Sequence, residues 1–245
     1  MSAEHAGDAA GLDVGFLLAW IERAARAIER DKDRLTGLDR VIGDGDHGSN
    51  LNRGFTAVLA ALEAKPPQYP GAVLVQVGTT LISSVGGASG PLYGTLFRRT
   101  GKALGEAETV SPKDLAAALA AGLEAVRKLG GASVGDKTMV DVLTPAIDAL
   151  NEALATEAAQ GPADDASTAR NVSAAPAFES AADAAEAAVR ATIPLRARKG
   201  RASYLGERSE GHEDPGAASS ALLWRALADT AAEAAAGTRA DGPLG

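Results

Sequence analysis

Three aspartates lie within eight residues of one another in the segment LTGLDRVIGDGDHGSN, at Asp39, Asp44 and Asp46. Carboxylates held this close repel one another unless a cation lies among them. Oxygen ligands of this kind favour Mg²⁺ or a similar hard cation over zinc. The alternative is a solvated turn of Asp and Gly residues without any metal, and the segment alone leaves both interpretations open.

Two other segments contain groups suited to binding phosphate. The segment SSVGGASGPLYG, at 83–94, offers unobstructed backbone N–H groups that lead into a helix N-terminus, although close helix packing through small residues explains it equally well. The segment LRARKGRASYLGERSEGHEDPGA concentrates positive charge in an otherwise acidic chain, which favours contacts with phosphate oxygens over a merely solvated surface. Its basic residues are Arg196, Arg198, Lys199, Arg201 and Arg208.

Two histidines and one aspartate near these segments are candidates for catalysis or helix capping. His47 and His212 are candidate general bases because imidazole titrates near neutral pH, but the simpler interpretation of each is a hydrogen-bonding loop residue. Asp214 precedes Pro215 and Gly216, and we expect it to cap the final helix.

Two glycine-rich patterns imitate nucleotide-binding fingerprints. Residues 43–48 match GxGxxG, but a dinucleotide site needs a preceding strand within a βαβ unit, and the sequence predicts neither. The segment GGASVGDKT, at 130–138, approaches a P-loop, but Asp136 separates the glycine from the lysine and no strand is predicted before it. We therefore assign neither pattern to nucleotide binding by its fingerprint.

Apolar residues recur at helical spacing along most of the chain and predict eight helices, with no convincing strand or hairpin. Asp13 is the expected N-cap of the first helix, and Ser111 opens the fifth with a pattern like a capping box in which Asp114 replaces Glu. Pro145 predicts a kink or a later start in the sixth. The predicted helices are 12–30, 50–65, 71–83, 91–104, 112–126, 138–154, 175–192 and 216–235.

Eight helices joined mostly by short loops indicate an all-α bundle with antiparallel neighbours. The loops after helices 1, 3, 5 and 7 are rich in Gly, Asp, Ser and Arg. Alternate loops of an up-and-down bundle lie at the same end, so we place the site there. The sequence predicts one domain spanning 1–245, with disordered tails at 1–11 and 238–245 and a polar linker at 155–173.

The composition narrows the class of protein. The 245 residues carry a formal net charge of −8, which argues against nucleic acid or an anionic membrane as the main partner. The chain contains no cysteine and no apolar stretch long enough to span a bilayer, and its first residues are acidic where a signal peptide is basic. We expect a cytoplasmic protein.

The segments LTGLDRVIGDGDHGSNLNRGF, LISSVGGASGPLYGTLF, GDKTMVDVLTPA and ARKGRASYLGERSEGHEDPGAAS together resemble the L subunits of dihydroxyacetone kinases, in the same order along the chain. The resemblance extends over about 12–235. It implies a closed barrel of eight antiparallel amphipathic helices with a nucleotide site at one end. It also implies a kinase subunit that transfers a phosphoryl group to dihydroxyacetone.

The resemblance assigns roles to particular residues. It implies that the three aspartates Asp39, Asp44 and Asp46 bind two Mg²⁺ ions, which hold the phosphates of ADP or ATP. The nucleotide contacts that it implies are His47, Gly48, Ser49, Asn50, Ala88, Ser89, Gly130, Met139, Arg201, Asp214, Pro215 and Gly216. It places no catalytic base in this chain, because dihydroxyacetone and the base belong to a separate K subunit.

The resemblance leaves several functions open. ADP is either a permanently bound coenzyme, rephosphorylated by a phosphocarrier M subunit of the phosphotransferase system, or it exchanges with free ATP; the close motif match favours the first. The acceptor is dihydroxyacetone or another ketose such as erythrulose. Two rivals are an ADP-loaded module that acts on a transcriptional regulator and the nucleotide domain of a fatty-acid kinase, which shares the segment of the three aspartates, residues 39–46, here called the acidic loop.

Overall fold

A computed structural model describes residues 11–159 and 174–240 of the chain. These residues form eight α-helices and no strand; the only β-type pairing in them is a single bridge between Leu12 and Val110. The all-α prediction is confirmed. The helices are α1 (Val14–Ile42), α2 (His47–Ala64), α3 (Pro70–Ser84), α4 (Ser89–Leu104), α5 (Pro112–Gly130), α6 (Val140–Ala159), α7 (Ala175–Ala191) and α8 (Pro215–Ala240).

The eight helices form a closed ring. Each helix packs against the next along the chain, and α8 packs against α1. Short connections, such as 43–46 and 85–88, force consecutive helices to run antiparallel. The connections after α1, α3, α5 and α7 therefore lie at one end of the ring, which we call the site end.

Helix α1 ends at Ile42, twelve residues beyond the predicted end at Arg30. Residues 31–34 are polar, but Leu35 and Ile42 return to the buried face one and three turns further on and extend the helix. As a result Asp39 lies in the last turn of α1 rather than in a loop. This correction matters because a helix holds a carboxylate more rigidly than a loop does.

Several other boundaries differ from the predictions. Helix α6 begins at Val140, before Pro145, so the later start does not occur; the apolar residues on both sides of Pro145 are buried and keep the segment helical. The same helix continues to Ala159, so the predicted linker is wrong for 155–159. The rest of the predicted linker, residues 160–173, lies outside the described residues. Of the two predicted tails, the described residues include only Gly11 and residues 238–240. Residues 201–209 form a 3-10 segment instead of an irregular loop.

The helix starts confirm the predicted capping residues. The Asp13 carboxylate accepts a hydrogen bond from the Phe16 N–H at 2.8 Å, and Ser111 with Asp114 forms a complete capping box at the start of α5. These two starts lie at the end of the ring opposite to the site end. In the described part of the chain, no helix combines the length and apolar character that crossing a membrane requires.

Glycines allow α3 and α4 to pack closely against each other. A Cβ on Gly78 would lie 2.5 Å from the Gly94 carbonyl oxygen, and a Cβ on Gly94 would collide with Ile82. The core that the ring encloses is aliphatic and alanine-rich, with tilted and edge-on contacts among Trp20, Phe55 and Phe97. Because α4 is held this tightly, its first turn, which contains Ser89, has a fixed position at the site end.

Candidate metal and phosphate site

Four connections of the ring surround one cleft of about 170 Å³ at the site end. They are the segments between α1 and α2, α3 and α4, α5 and α6, and α7 and α8, as the sequence predicted. The cleft also receives the N-terminal residues of α2, α4 and α8, and of these α4 begins without a side-chain cap, so its first N–H groups favour an anion. The site end thus combines positive helix ends with the acidic loop.

The three predicted aspartates come together in space. Asp39, Asp44 and Asp46 each offer one carboxylate oxygen, and these oxygens all lie within 4.8 Å of one another. Asp39 is buried, and its Oδ2 accepts hydrogen bonds from the backbone N–H groups of Asp46 at 2.9 Å and of His47 at 3.1 Å. The buried carboxylate therefore fixes the loop that carries the other two, and the set is chemically suited to a hard cation.

Two glycines of the acidic loop are required by its geometry. A Cβ on Gly43 would collide with Oδ1 of Asp39, so any larger residue would displace the carboxylate. Gly45 has a φ of +75°, in the left-handed region that favours glycine. The glycines of the GDGD segment therefore bring the aspartates together and do not form a dinucleotide fingerprint. Helix α1, not a strand, precedes them.

Residues 193–213, which we call the basic loop, lie against the acidic loop, as predicted. Arg201 forms an ion pair with Asp44 at 3.0 Å, although its side chain remains 66% exposed. Lys199 also lines the cleft, whereas Arg196, Arg198 and Arg208 do not. Since an exposed ion pair of this kind stabilises the fold by less than about 1 kcal/mol, Arg201 is free to exchange the carboxylate for a phosphate.

His47 is buried and hydrogen-bonded on both sides of its ring. Nδ1 lies 3.0 Å from Oγ of Ser89 at the start of α4, and Nε2 lies 2.8 Å from Oγ of Ser219 in α8. Burial lowers the pKa of His47, although Asp39 and Asp46 oppose the shift. A neutral imidazole whose two nitrogens are both hydrogen-bonded connects helices and is not placed to abstract a proton. The structure therefore favours the simpler interpretation of His47, as a hydrogen-bonding residue.

A tyrosine and two serines below His47 were not found from the sequence. The Tyr93 hydroxyl lies 2.6 Å from Oγ of Ser219 and 2.8 Å from Oγ of Ser220, and it donates to the Gly216 carbonyl oxygen at 3.0 Å. Burial raises the pKa of Tyr93 to about 12, so this phenol remains protonated. These contacts tie α4 to the first two turns of α8. Tyr93 has the helical spacing of a core residue, and nothing in the sequence indicates its hydroxyl contacts.

Asp214 caps α8, as predicted. Its Oδ2 accepts a hydrogen bond from the Ala217 N–H at 2.7 Å, and Pro215 and Gly216 follow at the edge of the cleft. Burial raises the pKa of Asp214 to about 7, against the opposing effects of the Ala217 N–H and of Lys137. A Cβ on Gly216 would lie 3.6 Å from the Met139 nitrogen, so this turn and Met139 are neighbours.

The structure brings most of the predicted nucleotide contacts to the cleft and places four outside its lining. Lining it are His47, Ala88, Ser89, Met139, Arg201, Asp214, Pro215 and Gly216. Gly48 instead packs α2 against α1, where a Cβ would collide with the Lys32 carbonyl oxygen. Ser49 donates to the Asp46 carbonyl oxygen at 2.9 Å, Asn50 accepts from Arg53 at 2.8 Å, and Gly130 ends α5.

The near-match to a P-loop contains no phosphate-binding lysine. Helix α5 precedes the segment GGASVGDKT, and the Lys137 ammonium donates to backbone carbonyl oxygens of the connection between α7 and α8. The sequence prediction that this segment is not a P-loop is confirmed. Lys137 is nevertheless the largest buried charged side chain in the described residues, and no sequence signal pointed to it.

Comparisons with known proteins agree with this geometry. A family model of the DAK2 domain matches residues 41–229. The chain belongs to the DAK2 domain family. It is 42% identical over 217 residues to the ADP-binding subunit of the PEP-dependent dihydroxyacetone kinase of Escherichia coli (strain K12), covering 89% of this chain and 97% of that one. The predicted relationship to L subunits of dihydroxyacetone kinases is confirmed.

Other DAK2 relatives extend the comparison. The ADP-binding subunit of the PTS-dependent dihydroxyacetone kinase of Lactococcus lactis is 38% identical over 221 residues, covering 90% of this chain and all of that one. The solved dihydroxyacetone kinase of C. freundii has a TM-score of 0.64 and 24% identity, covering 94% of this chain and 37% of that one. At 24% identity, this similarity shows that the two proteins share a fold. The same kinase is also solved in complex with AMP-PNP and Mg²⁺.

Proposed function

We propose that this chain is the nucleotide-binding subunit of a dihydroxyacetone kinase, and that it presents the terminal phosphoryl group of a Mg²⁺-bound nucleotide to a triose held by a partner subunit. The observation that carries the proposal is the cluster of three carboxylates at a cleft bounded by a glycine-rich turn and a basic loop. The names of the relatives, ADP-binding subunits of PEP- and PTS-dependent kinases, support ADP as the nucleotide.

The acidic loop would hold two Mg²⁺ ions. Oδ2 of Asp39 is engaged by two backbone N–H groups, which fixes the direction of its other oxygen. Asp44 and Asp46 supply carboxylates that are not committed to the core. Magnesium bound here would neutralise phosphate charge, which is the main requirement of phosphoryl transfer.

The phosphates and the base would occupy the rest of the cleft. Gly87 has a φ of +66° and no atom within 4 Å of the position of a Cβ, so phosphate oxygens can approach the backbone N–H groups of the turn. The Ser89 hydroxyl is held at its edge by His47. Arg201 would move from Asp44 to a phosphate oxygen, and Met139 beside the turn of Pro215 and Gly216 would contact the adenine.

A partner subunit would complete the active site by docking on the site end. In the described part of the chain, every large hydrophobic side chain that is exposed belongs to this end. Such a rim of apolar groups around a polar cleft is typical of an interaction surface. The exposed residues are Val41, Ile82, Leu129, Val134 and Tyr204, of which Tyr204 is 89% exposed. We infer that a K subunit binds here with the acceptor and base, and that a phosphocarrier M subunit uses the same face to rephosphorylate ADP.

Calorimetric titration with ADP tests the binding site. We expect saturable binding that requires Mg²⁺, and a loss of affinity of at least about tenfold in Asp44→Asn, since one ligand charge is removed from an exposed loop. Asp148→Asn removes an exposed carboxylate from α6, away from the cleft, and should bind ADP like the unaltered chain. Metal analysis of the complex should give two Mg²⁺ per chain. Absence of ADP binding at any Mg²⁺ concentration would refute the proposal.

A coupled assay for dihydroxyacetone phosphate tests the division of labour. The three components, this chain, a K subunit and a phosphocarrier, are omitted in turn. We expect product only when this chain and the K subunit are both present, because only the docked pair excludes water and aligns the acceptor hydroxyl with the phosphoryl group. Rapid product formation by this chain with ATP alone would mean that it contains its own triose site.

A further inference from the structure

Lys137 has an unusual combination of burial and backbone conformation. Its side chain is 1% exposed, and its φ of +65° makes it the only residue other than glycine with a positive φ in the described residues. A bulky residue adopts this conformation only where the surrounding structure holds it there. The function proposed above requires neither the burial nor the backbone conformation of Lys137.

The Lys137 ammonium group is surrounded by backbone carbonyl oxygens rather than by carboxylates. Nζ donates to His212 O at 2.6 Å and Thr192 O at 2.9 Å. It also lies 3.0 Å from Leu195 O and 3.4 Å from Ile193 O. No carboxylate of the described residues forms an ion pair with it. A lysine has three donors, so these acceptors use its full capacity.

These acceptors come from the two ends of one connection. Thr192 is the C-cap of α7, and Ile193 and Leu195 follow it, so the ammonium lies at the negative end of a helix whose last carbonyl groups need donors. His212 lies two residues before Asp214, which caps α8. Lys137 therefore joins the connection between α5 and α6 to both ends of the basic loop.

Neighbouring contacts close the base of the basic loop in the same place. The Arg198 N–H donates to the Asp136 carbonyl oxygen at 3.1 Å, and the Gly211 N–H donates to the Ile193 carbonyl oxygen at 2.8 Å. The Asp214 N–H donates to Oγ1 of Thr192 at 3.1 Å. The loop thus has a narrow, hydrogen-bonded base, with the buried ammonium at its centre. Its tip is attached separately, to the end of α1, where Ala202 and Leu205 pack around the buried Ile42 and Arg201 pairs with Asp44.

We propose that Lys137 is a positioning residue that anchors the basic loop and thereby holds Lys199, Arg201 and the Asp214 turn over the nucleotide cleft. Lys137 is among the residues that line the cleft, but its ammonium group is occupied by carbonyl oxygens, so it acts through the backbone of the loop. The expected effect of Lys137 on nucleotide affinity rests on the function proposed above, whereas its expected effect on the basic loop does not.

Hydrogen exchange of the intact chain, followed by mass spectrometry, tests the anchor without any ligand. Lys137→Met keeps the length and apolar stem of the side chain but leaves the carbonyl groups without their donor. We expect peptides covering 193–213 to exchange at least about tenfold faster in this variant, and peptides from α1 to α4 to exchange at the unaltered rate. Lys102→Met removes an exposed lysine from α4 and should change neither region.

The absence of cysteine in the chain permits a chemical rescue. Lys137→Cys introduces a unique thiol, which 2-bromoethylamine converts in the unfolded state into a lysine analogue with a sulfur in its side chain. After refolding, we expect the slow exchange of the basic loop to return, together with ADP affinity, which should be at least about tenfold weaker in Lys137→Met.

Each other result would overturn the anchor. Unchanged exchange of the basic loop in folded Lys137→Met would show that the loop does not depend on the ammonium. Faster exchange throughout the chain, or failure of the variants to fold, would show that Lys137 supports the whole ring instead of this loop. Failure of the unaltered chain to bind ADP would refute the proposed nucleotide site while leaving the exchange result as the test of the anchor.

Discussion

The close packing of α3 against α4 gives a quantitative test of how the glycine-rich turn is positioned. Gly78→Ala adds a Cβ that would lie 2.5 Å from both the Arg98 nitrogen and the Gly94 carbonyl oxygen, where 3.4 Å is ordinary contact. Both neighbours are backbone atoms and cannot rotate away. The two helices must therefore separate by roughly 1 Å, or the variant helix must bend.

Two opposing effects determine the size of the change in stability. Alanine favours a helix over glycine by up to about 1 kcal/mol. Forcing a methyl group into a well-packed interface costs about 1–3 kcal/mol, and contact with backbone on the partner helix places this case in the upper part of that range. We expect the free energy of unfolding of Gly78→Ala to fall by about 1–2 kcal/mol.

Gly37→Ala is the matched control, because Gly37 is also helical but has no atom within 4 Å of the position of a Cβ. This variant should gain up to about 1 kcal/mol. Urea unfolding should separate the two variants by about 2–3 kcal/mol, and thermal unfolding by roughly 5–10 °C. ADP binding should weaken in Gly78→Ala alone, because the shift displaces Ser89. Equal stability of the two variants would refute the close packing of α3 and α4.

Three further substitutions test single contacts of the site. Arg201→Ala should change the free energy of unfolding by less than about 1 kcal/mol, since its ion pair is exposed, but should weaken ADP binding by about tenfold; a large loss of stability would contradict this. Tyr93→Phe should lose about 1–2 kcal/mol in urea unfolding, and no loss would mean that the hydroxyl network is unimportant. Asp214 binds its proton more tightly in the folded chain than in the unfolded one, so its contribution to stability should decline as pH rises from 3.8 to about 7. The stability of the unaltered chain relative to Asp214→Asn should therefore fall over that interval, and a constant difference would argue against the raised pKa.

The sequence predicted the end of the ring that carries the site because loop composition and helix alternation are both local. Three carboxylates in eight residues, a glycine-rich turn and a basic segment can be read without coordinates, and an antiparallel order then places them together. The boundary of α1 could not be found in this way. Polar residues after Arg30 hide the return of Leu35 and Ile42 to the core, which only packing against the rest of the ring reveals.

The residues that the sequence did not identify share one property: their partners are backbone groups or distant hydroxyls. Lys137 is a lone cation in a glycine-rich segment, where a solvated side chain is the ordinary expectation. Its acceptors lie 55 to 75 residues further along the chain, and Tyr93 meets serines 126 and 127 residues away. No periodicity connects such pairs, because carbonyl groups carry no sequence signature.

The topology alone does not decide which end of the ring binds an anion, because an up-and-down ring presents four helix N-termini at each end. Each end has a helix that begins without a side-chain cap, α4 at the site end and α7 at the opposite end. Opposite to the site end, α1 and α5 are capped by the side chains of Asp13 and Ser111, and α3 begins with Pro70, which has no N–H group. At the site end, α4 has Ala88 at its start and no side-chain cap. The N-terminus of α4 differs from that of α7 because the glycine-rich turn, the three aspartates and Arg201 line the same cleft. This combination, and not the uncapped N-terminus alone, gives the site end its capacity to bind a metal-bound phosphate.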